Sequence, residues 1–256
     1  GVYDNPDDPG AINHFQALSA ALSGTVGLGN IGGVALAITL GGPGAIFWMW
    51  VVGFLGMAIK MTEVTMSMLY RNTNDPNNPN GGPMWVADKA FVQLNPKLKW
   101  LGKTIAIIFC ICLLMSAATG GNMFQAWNIA EVTNEYFGIP GWVCGLVLAS
   151  LVAAVIIGGI KRIGKVAGTL VPFMVGLYLL VGFYVLFLNI EKIPSLFAMI
   201  ISNAFTPTEA SGAFIGGTIA SAFLFGMKRA VFSNEAGQGS SPIAHSAAKT
   251  DEPARE

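Results

Sequence analysis

The sequence predicts an all-α polytopic membrane protein, on three observations. Of 256 residues, 53% are hydrophobic and only 11% are Asp, Glu, Lys or Arg, against roughly 25% charged residues in an ordinary soluble domain. The charges are also unevenly spread. Residues 9–59, 104–130, 136–160, 166–190 and 210–227 contain none, and a spanning helix needs about 20 apolar residues. Glycine fills 32 positions, an enrichment that suits membrane helices. The same composition excludes a disordered chain, which would be polar and charged. A net charge of zero gives no electrostatic case for a nucleic-acid partner. Cys110, Cys112 and Cys144 lie in apolar runs with neither disulfide nor zinc spacing.

The first charge-free run is long enough for two helices, divided at Gly41-Gly42-Pro43. Six spans are then expected in a single membrane domain over residues 1–256: about 14–40 (broken), 44–70, 101–134, 141–159, 166–188 and 213–233 (broken). Residues 193–204 are apolar but short and read as a surface or partly re-entrant helix. Residues 72–83 are dense in Asn, Pro and Gly, the composition of a turn-rich loop. The following 84–94 segment, with Met84, Trp85 and Phe91, has the pattern of an interfacial helix. Basic residues orient the chain. Arg71, Lys89, Lys97, Lys99, Lys103, Lys161, Arg162, Lys165, Lys228 and Arg229 fall on one side, and the opposite loops hold only Lys192. The first side is expected to be cytoplasmic, with residues 1–13 beside it. Both ends of the sequence are expected to be cuts through a longer chain.

The residues that carry chemistry begin at Gly24-Thr25-Val26-Gly27-Leu28-Gly29-Asn30-Ile31-Gly32-Gly33, in the middle of the first span. Each glycine costs a helix roughly 1 kcal/mol relative to alanine, and a helix that merely crosses lipid needs none of them. A broken helix is the favoured reading, because freed carbonyls and amides near the midplane are what an ion and substrate site uses. Close packing through small residues is the other. Gly27–Gly32 also fits G-x-G-x-x-G, but no strand or soluble parallel sheet surrounds it. Thr25–Gly29 resembles a potassium filter, yet residues 34–40 continue as an apolar run.

The last span shows a second interruption in sequence, at Gly216-Gly217 and Phe223-Leu224-Phe225-Gly226. Two glycine-interrupted spans point to a transporter site. Half-helix N-termini suit a carboxylate, and half-helix C-termini a cation. Polar side chains inside the spans are few: Asn30, Thr119, Asn122, Gln125 and Asn128. Gln125 and Asn128 share a helix face, as functional groups or as interhelical glue. Lys60 and Glu63 read as an ion pair, with a proton or gating carboxylate as the alternative. With no other deeply placed acid, sodium held by neutral oxygens fits better than a proton relay. His14 and His245 have no triad context, and no hydrolase elbow, Walker loop or metal cluster occurs, so an enzyme is not expected.

Four ordered motifs resemble the sodium:alanine symporter family. They are Gly24–Ala35; Gly41-Gly-Pro-Gly-Ala-Ile-Phe-Trp-Met-Trp-Val51 running on to Gly56, departing at Gly53; Gly121-Asn-Met-Phe-Gln125; and Lys228–Ser240. The resemblance implies the leucine-transporter-type fold of two inverted five-helix repeats, here the first repeat plus the first helix of the second. It implies sodium symport of a small neutral amino acid (L-alanine, glycine or D-alanine) across the cytoplasmic membrane of a prokaryote, with Na+ as coupling ion. Asn30 would contact substrate or sodium, and Gln125 the substrate. Phe225 and Gly226 would sit on the unwound sixth core helix. Gly27 and Gly29 would offer backbone groups to the substrate, and Thr25 and Val26 would join Asn30 at the sodium ion. The rivals are a proton-coupled transporter of a small solute, a cation channel, and a non-transporting fragment.

Overall fold

The computed structural model describes residues 8–206 and 218–256. Among them the regular structure is helical, with two isolated bridges, Ile12 to Ala248 and Asn72 to Asn80. The first apolar run forms α1 (His14–Thr25) and α2 (Leu28–Gly41). Gly42, at φ 74°, ends it, and α3 (Gly44–Tyr70) follows after Pro43. The polar loop leads to α4 (Pro83–Leu94). Next, α5 (Lys99–Ser116) runs through a π-helical segment, Ala117–Met123, into α6 (Phe124–Phe137). The remaining helices are α7 (Gly141–Ile156), α8 (Gly159–Leu188), α9 (Ile193–Phe205), α10 (Ile219–Asn234) and α11 (Ser240–His245).

Three elements are long and apolar enough to cross a bilayer: Gly44–Tyr70, Pro96–Phe137 and Gly159–Leu188. The α1–α2 pair, bent by 41°, meets the same test as one broken span. Helix α7 stops at Ile156, short of the expected 159, because the chain turns at Gly158-Gly159 with Gly159 at φ 67°. The expected interruption at Gly216-Gly217 lies outside the described residues. The one expected at Phe223–Gly226 is not there: α10 is continuous from Ile219 to Asn234. A capping box closes its start, with the Thr218 side chain accepting from Ser221 N and Ser221 Oγ accepting from Thr218 N. Gly226 serves packing instead, since a Cβ there would lie 2.4 Å from the Ala45 carbonyl oxygen.

The chain forms two compact units. One contains Gly1–Gly24, Ile59–Val171 and Gly237–Glu256; the other contains Thr25–Ala58 and Pro172–Ala236. In the first unit, α4 lies on α5 where Gly102 meets the Ala87 carbonyl. Ile12, Ala17, Ala247 and Ala248 form its buried cluster, with Ala11 and Ile160 packed against it. Arg71, one residue beyond α3, ties the ends of this unit together. Its Nη1 donates to the carbonyls of Ser246 (3.0 Å) and Ala248 (2.8 Å), and its Nη2 to those of Pro9 (3.1 Å) and Thr250. Burial lowers the Arg71 pKa from the usual arginine value, against the opposing pull of Glu256, Asp8 and Asp251.

In the second unit, α10 packs on α2 and α9. An aromatic cluster holds α3 to its neighbours. Trp48 meets Phe223 edge-on at 5.0 Å and Phe205 at 5.7 Å, and its Nε1 donates to the Ala204 carbonyl at 3.3 Å. In both units the buried residues are mostly small, such as Ala17, Ala45, Ala204, Ser67 and Ser241, while Phe54, Leu114, Ile157 and Phe187 are largely exposed. Small residues inside and large apolar ones outside is the packing of helices in lipid, where close backbone approach replaces the hydrophobic drive.

Hydrogen bonds to a charged donor contribute about 1.5–3 kcal/mol each. Arg71→Ala is therefore expected to lower stability by at least about 2 kcal/mol, read as a lower melting temperature in detergent. Arg71→Lys should recover only a minor part, because an ammonium cannot reproduce the guanidinium fork. A melting curve unchanged by Arg71→Ala would refute the role of this residue as a tie.

Candidate functional site

The α1–α2 break brings irregular backbone to a cavity of the second unit. Gly27 is extended (φ −162°, ψ 177°), so the helical ladder stops at Thr25 and restarts at Leu28. The Gly27 carbonyl accepts from Asn30 N (2.9 Å) and Ile31 N (3.1 Å), opening α2. At such a junction the last carbonyls of one helix and the first amides of the next lose their i, i±4 partners. Asn30 supplies one replacement: its Nδ2 donates to the Thr25 carbonyl. Its Oδ1 accepts from Arg229 Nη2 at 3.1 Å. A guanidinium only donates and a carbonyl only accepts, so the amide of Asn30 has one orientation that satisfies both.

Thr25, Val26, Gly27 and Asn30 line a cavity of about 500 Å³, walled further along α2 by Ile31, Val34, Ala35 and Ile38, and by Tyr178 and Ser233. Gly29 is buried in the first turn of α2. The structure thus brings Thr25, Val26, Gly27 and Asn30 to one cavity. Its walls are apolar with a few convergent polar groups, the usual make-up of a small-molecule site. Tyr178 and Ser233 belong to it as well. Ser233 falls in the Lys228–Ser240 motif, whose role the sequence left open, and Tyr178 was not signalled, being an ordinary residue of the long helix α8.

Phe225 and Gly226 lie elsewhere in this unit. Phe225 lines a second cavity of about 250 Å³ with Gly33, Leu36, Ala37, Leu40, Lys228, Arg229 and Phe232. The Lys228 ammonium lies 5.9 Å from the centre of the Phe225 ring. Gly226 is buried against α3. Since both occupy continuous helix, they offer no freed backbone, contrary to the expectation of an unwound segment there.

Gln125 belongs to the first unit, at the start of α6 directly after the π-helical segment. Thr119 Oγ1 bonds back to the Met115 carbonyl and Asn128 Nδ2 to that of Phe124, so both serve their own helix. The π-segment carries Gly120-Gly121, and such segments often occur at functional sites. Gln238 Nε2 donates to Ser116 Oγ, the residue before it, at 3.1 Å. Lys60 and Glu63 form the expected ion pair, 3.1 Å apart, and Gly237 N donates to the other Glu63 oxygen at 3.0 Å.

Residues 2–256 match the sodium:alanine symporter family along nearly the whole sequence. The chain belongs to that family. Its members are secondary transporters, not enzymes. The chain is similar to the sodium/alanine symporter AgcS of Methanococcus maripaludis, 47% identical over 247 residues that cover 96% of this chain and 52% of that protein. It is 37% identical to the amino-acid carrier protein AlsT of Bacillus subtilis, over all of this chain and 52% of AlsT. It is also 37% identical to GlnT of the same organism, named a probable sodium/glutamine symporter, over 96% of this chain and 48% of GlnT. The chain spans about half the length of the curated relatives it matches.

The packing role of the glycines separates sharply between positions. A Cβ at Gly226 would meet the Ala45 carbonyl oxygen at 2.4 Å and Trp48 Cβ at 2.9 Å, whereas at Gly53 nothing lies within 4 Å. Overpacking of this kind costs about 1–3 kcal/mol. Gly226→Ala should lower the melting temperature in detergent, and Gly53→Ala should leave it unchanged or raise it, by up to about 1 kcal/mol of helix propensity. Equal effects of the two would contradict the assignment of Gly226 to close packing.

Proposed function

We propose that the protein containing this chain is a sodium-coupled symporter of a small neutral amino acid, with L-alanine as the first candidate, in the cytoplasmic membrane of a prokaryote. The observation that carries the reading is the cavity at the α1–α2 break, with Asn30 turned to bridge the two half-helices. Family membership and the 47% identity to a sodium/alanine symporter support it. Sodium is a hard cation that prefers oxygen ligands, and the Thr25 and Val26 carbonyls with Asn30 Oδ1 are the oxygens at hand. The substrate carboxylate would meet the amide end of α2, around Gly27 and Gly29, where the helix dipole is positive. Gln125 would add a polar contact to the substrate, and Phe225 and Gly226 would act through the packing of α10. In this reading the fold is of the leucine-transporter type, with residues 1–256 forming its first repeat and the opening helix of the second.

Glu63 already has a cationic partner and a backbone donor, which leaves it poorly placed to carry a proton through the cycle. The decisive measurement is uptake of labelled L-alanine into proteoliposomes bearing the protein that contains this chain, under a sodium gradient and with choline in its place. Accumulation is expected only with sodium, and Glu63→Gln should preserve its sodium dependence. Uptake driven equally well by a proton gradient and lost in Glu63→Gln would favour proton coupling. Ion currents without amino acid would favour a channel, and absence of accumulation under either gradient would sink the alanine symport reading.

A further inference from the structure

The Asn30 oxygen read above as an ion ligand is already held by a cationic side chain. Asn30 Oδ1 accepts from the Arg229 guanidinium at 3.1 Å, across 199 positions of sequence. Only one of the five N–H donors of Arg229 is used there. Its Nε is buried without a hydrogen-bond partner, and among the described residues no carboxylate contacts it. The Phe232 ring, 4.7 Å from Cζ, is its other support. The guanidinium occupies the space that a side chain at Gly33 would fill, since a Cβ there would fall 1.9 Å from Cζ. Arg229 therefore sits beside the cavity as a partly buried positive charge with no carboxylate partner among the described residues, and a charge desolvated without pairing is costly.

We propose that Arg229 is a tethered competitor at the coupling site: its guanidinium holds Asn30 Oδ1 until a free monovalent cation, sodium or the ammonium of the amino acid, displaces it. The inference rests on the reading of Asn30 as a ligand. Two like charges at one amide oxygen repel each other strongly where little water screens them, so binding of the ion favours release of Arg229. The released guanidinium has room in the second cavity, which it lines with Leu36, Phe225 and Phe232, and it keeps the Phe232 ring as a partner. Because Arg229 lies on α10 and Asn30 on α2, the exchange breaks a tie between those two helices. Ion occupancy is thereby coupled to their packing.

The test measures two half-saturation constants on the protein containing this chain, reconstituted in proteoliposomes. One is for binding of radiolabelled sodium without amino acid, and the other for uptake of L-alanine at saturating sodium. Arg229→Gln, which removes the charge but keeps an amide donor, should tighten one of them roughly tenfold, within the usual range of coupling between sites. A shift in sodium binding identifies sodium as the displacing cation, and a shift confined to alanine identifies the ammonium. Arg229→Lys should shift it less. Gly33→Ala pushes the guanidinium away with the arginine retained and should shift the same constant in the same direction. It decides the matter if Arg229→Gln does not yield monodisperse protein. Unchanged or weakened constants in these variants overturn the proposal. If Asn30→Ala weakens binding while Arg229→Gln and Gly33→Ala do not tighten it, the competitor is refuted and the ligand site stands. If Asn30→Ala leaves both constants at wild-type values, the ligand reading falls, and this inference with it.

Discussion

The structure depends on one constraint: an apolar surrounding offers no water to a backbone amide or carbonyl that has lost its helical partner. Such a group costs several kcal/mol, so a helix broken in the middle of an apolar run must be repaired or used. At Thr25–Leu28 both happen. Asn30 returns a side-chain donor to the Thr25 carbonyl, and Thr25, Val26 and Gly27 line a cavity. A broken helix is thus a local loss of self-sufficiency, and the groups it frees are the ones a small charged ligand can satisfy.

The rest of the second unit makes that loss tolerable. Gly44 meets the Asn203 backbone, Gly226 meets the Ala45 carbonyl, and a Cβ at Gly56 would lie 2.4 Å from Asn234 Nδ2. Three helices approach more closely than side chains would allow, and dispersion across those contacts replaces the burial that drives soluble cores. The aromatic cluster of Phe47, Trp48, Phe205 and Phe223 then fixes where α3 meets its neighbours. Glycines at both the break and the contacts thus serve one outcome, closely packed helices around an irregular backbone.

That double use explains what could be read in advance. The break at Gly24–Gly33 was legible because its glycines are too many for packing alone. The bounds of α3 were legible because Gly42-Pro43 and Arg71 stop it on either side. The interruption expected at Phe225-Gly226 was not found because a single glycine signals a break and a close contact equally well, and only the Ala45 carbonyl decides between them. The π-helical segment had no sequence mark beyond Gly120-Gly121. Thr119 and Asn128, read as functional or as glue, turned to their own backbone, the commonest local fate of such side chains in a helix. Arg229 was counted among the basic residues ending the last span, whereas α10 continues to Asn234. Its partner Asn30 is far away in sequence, and nothing local in either segment announces the pair.

The charges within and beside the apolar segments complete the physical picture, because each has been given a distinct solution. Lys60 and Glu63 neutralise each other one helical turn apart, with a backbone amide added on the acid. Arg71 spends its donors on four carbonyls of converging chain ends, which makes it structural. Arg229 alone among these is held by one neutral oxygen and an aromatic face. A fully bonded charge resists exchange, since every competitor must replace several partners at once. A charge held by a single neutral oxygen has fewer partners to replace, and Arg229 has its one hydrogen bond at Asn30, beside the break between α1 and α2. The lightly held charge of this set and the broken helix therefore meet at one residue, Asn30, which bonds the Thr25 carbonyl through its Nδ2 and the Arg229 guanidinium through its Oδ1.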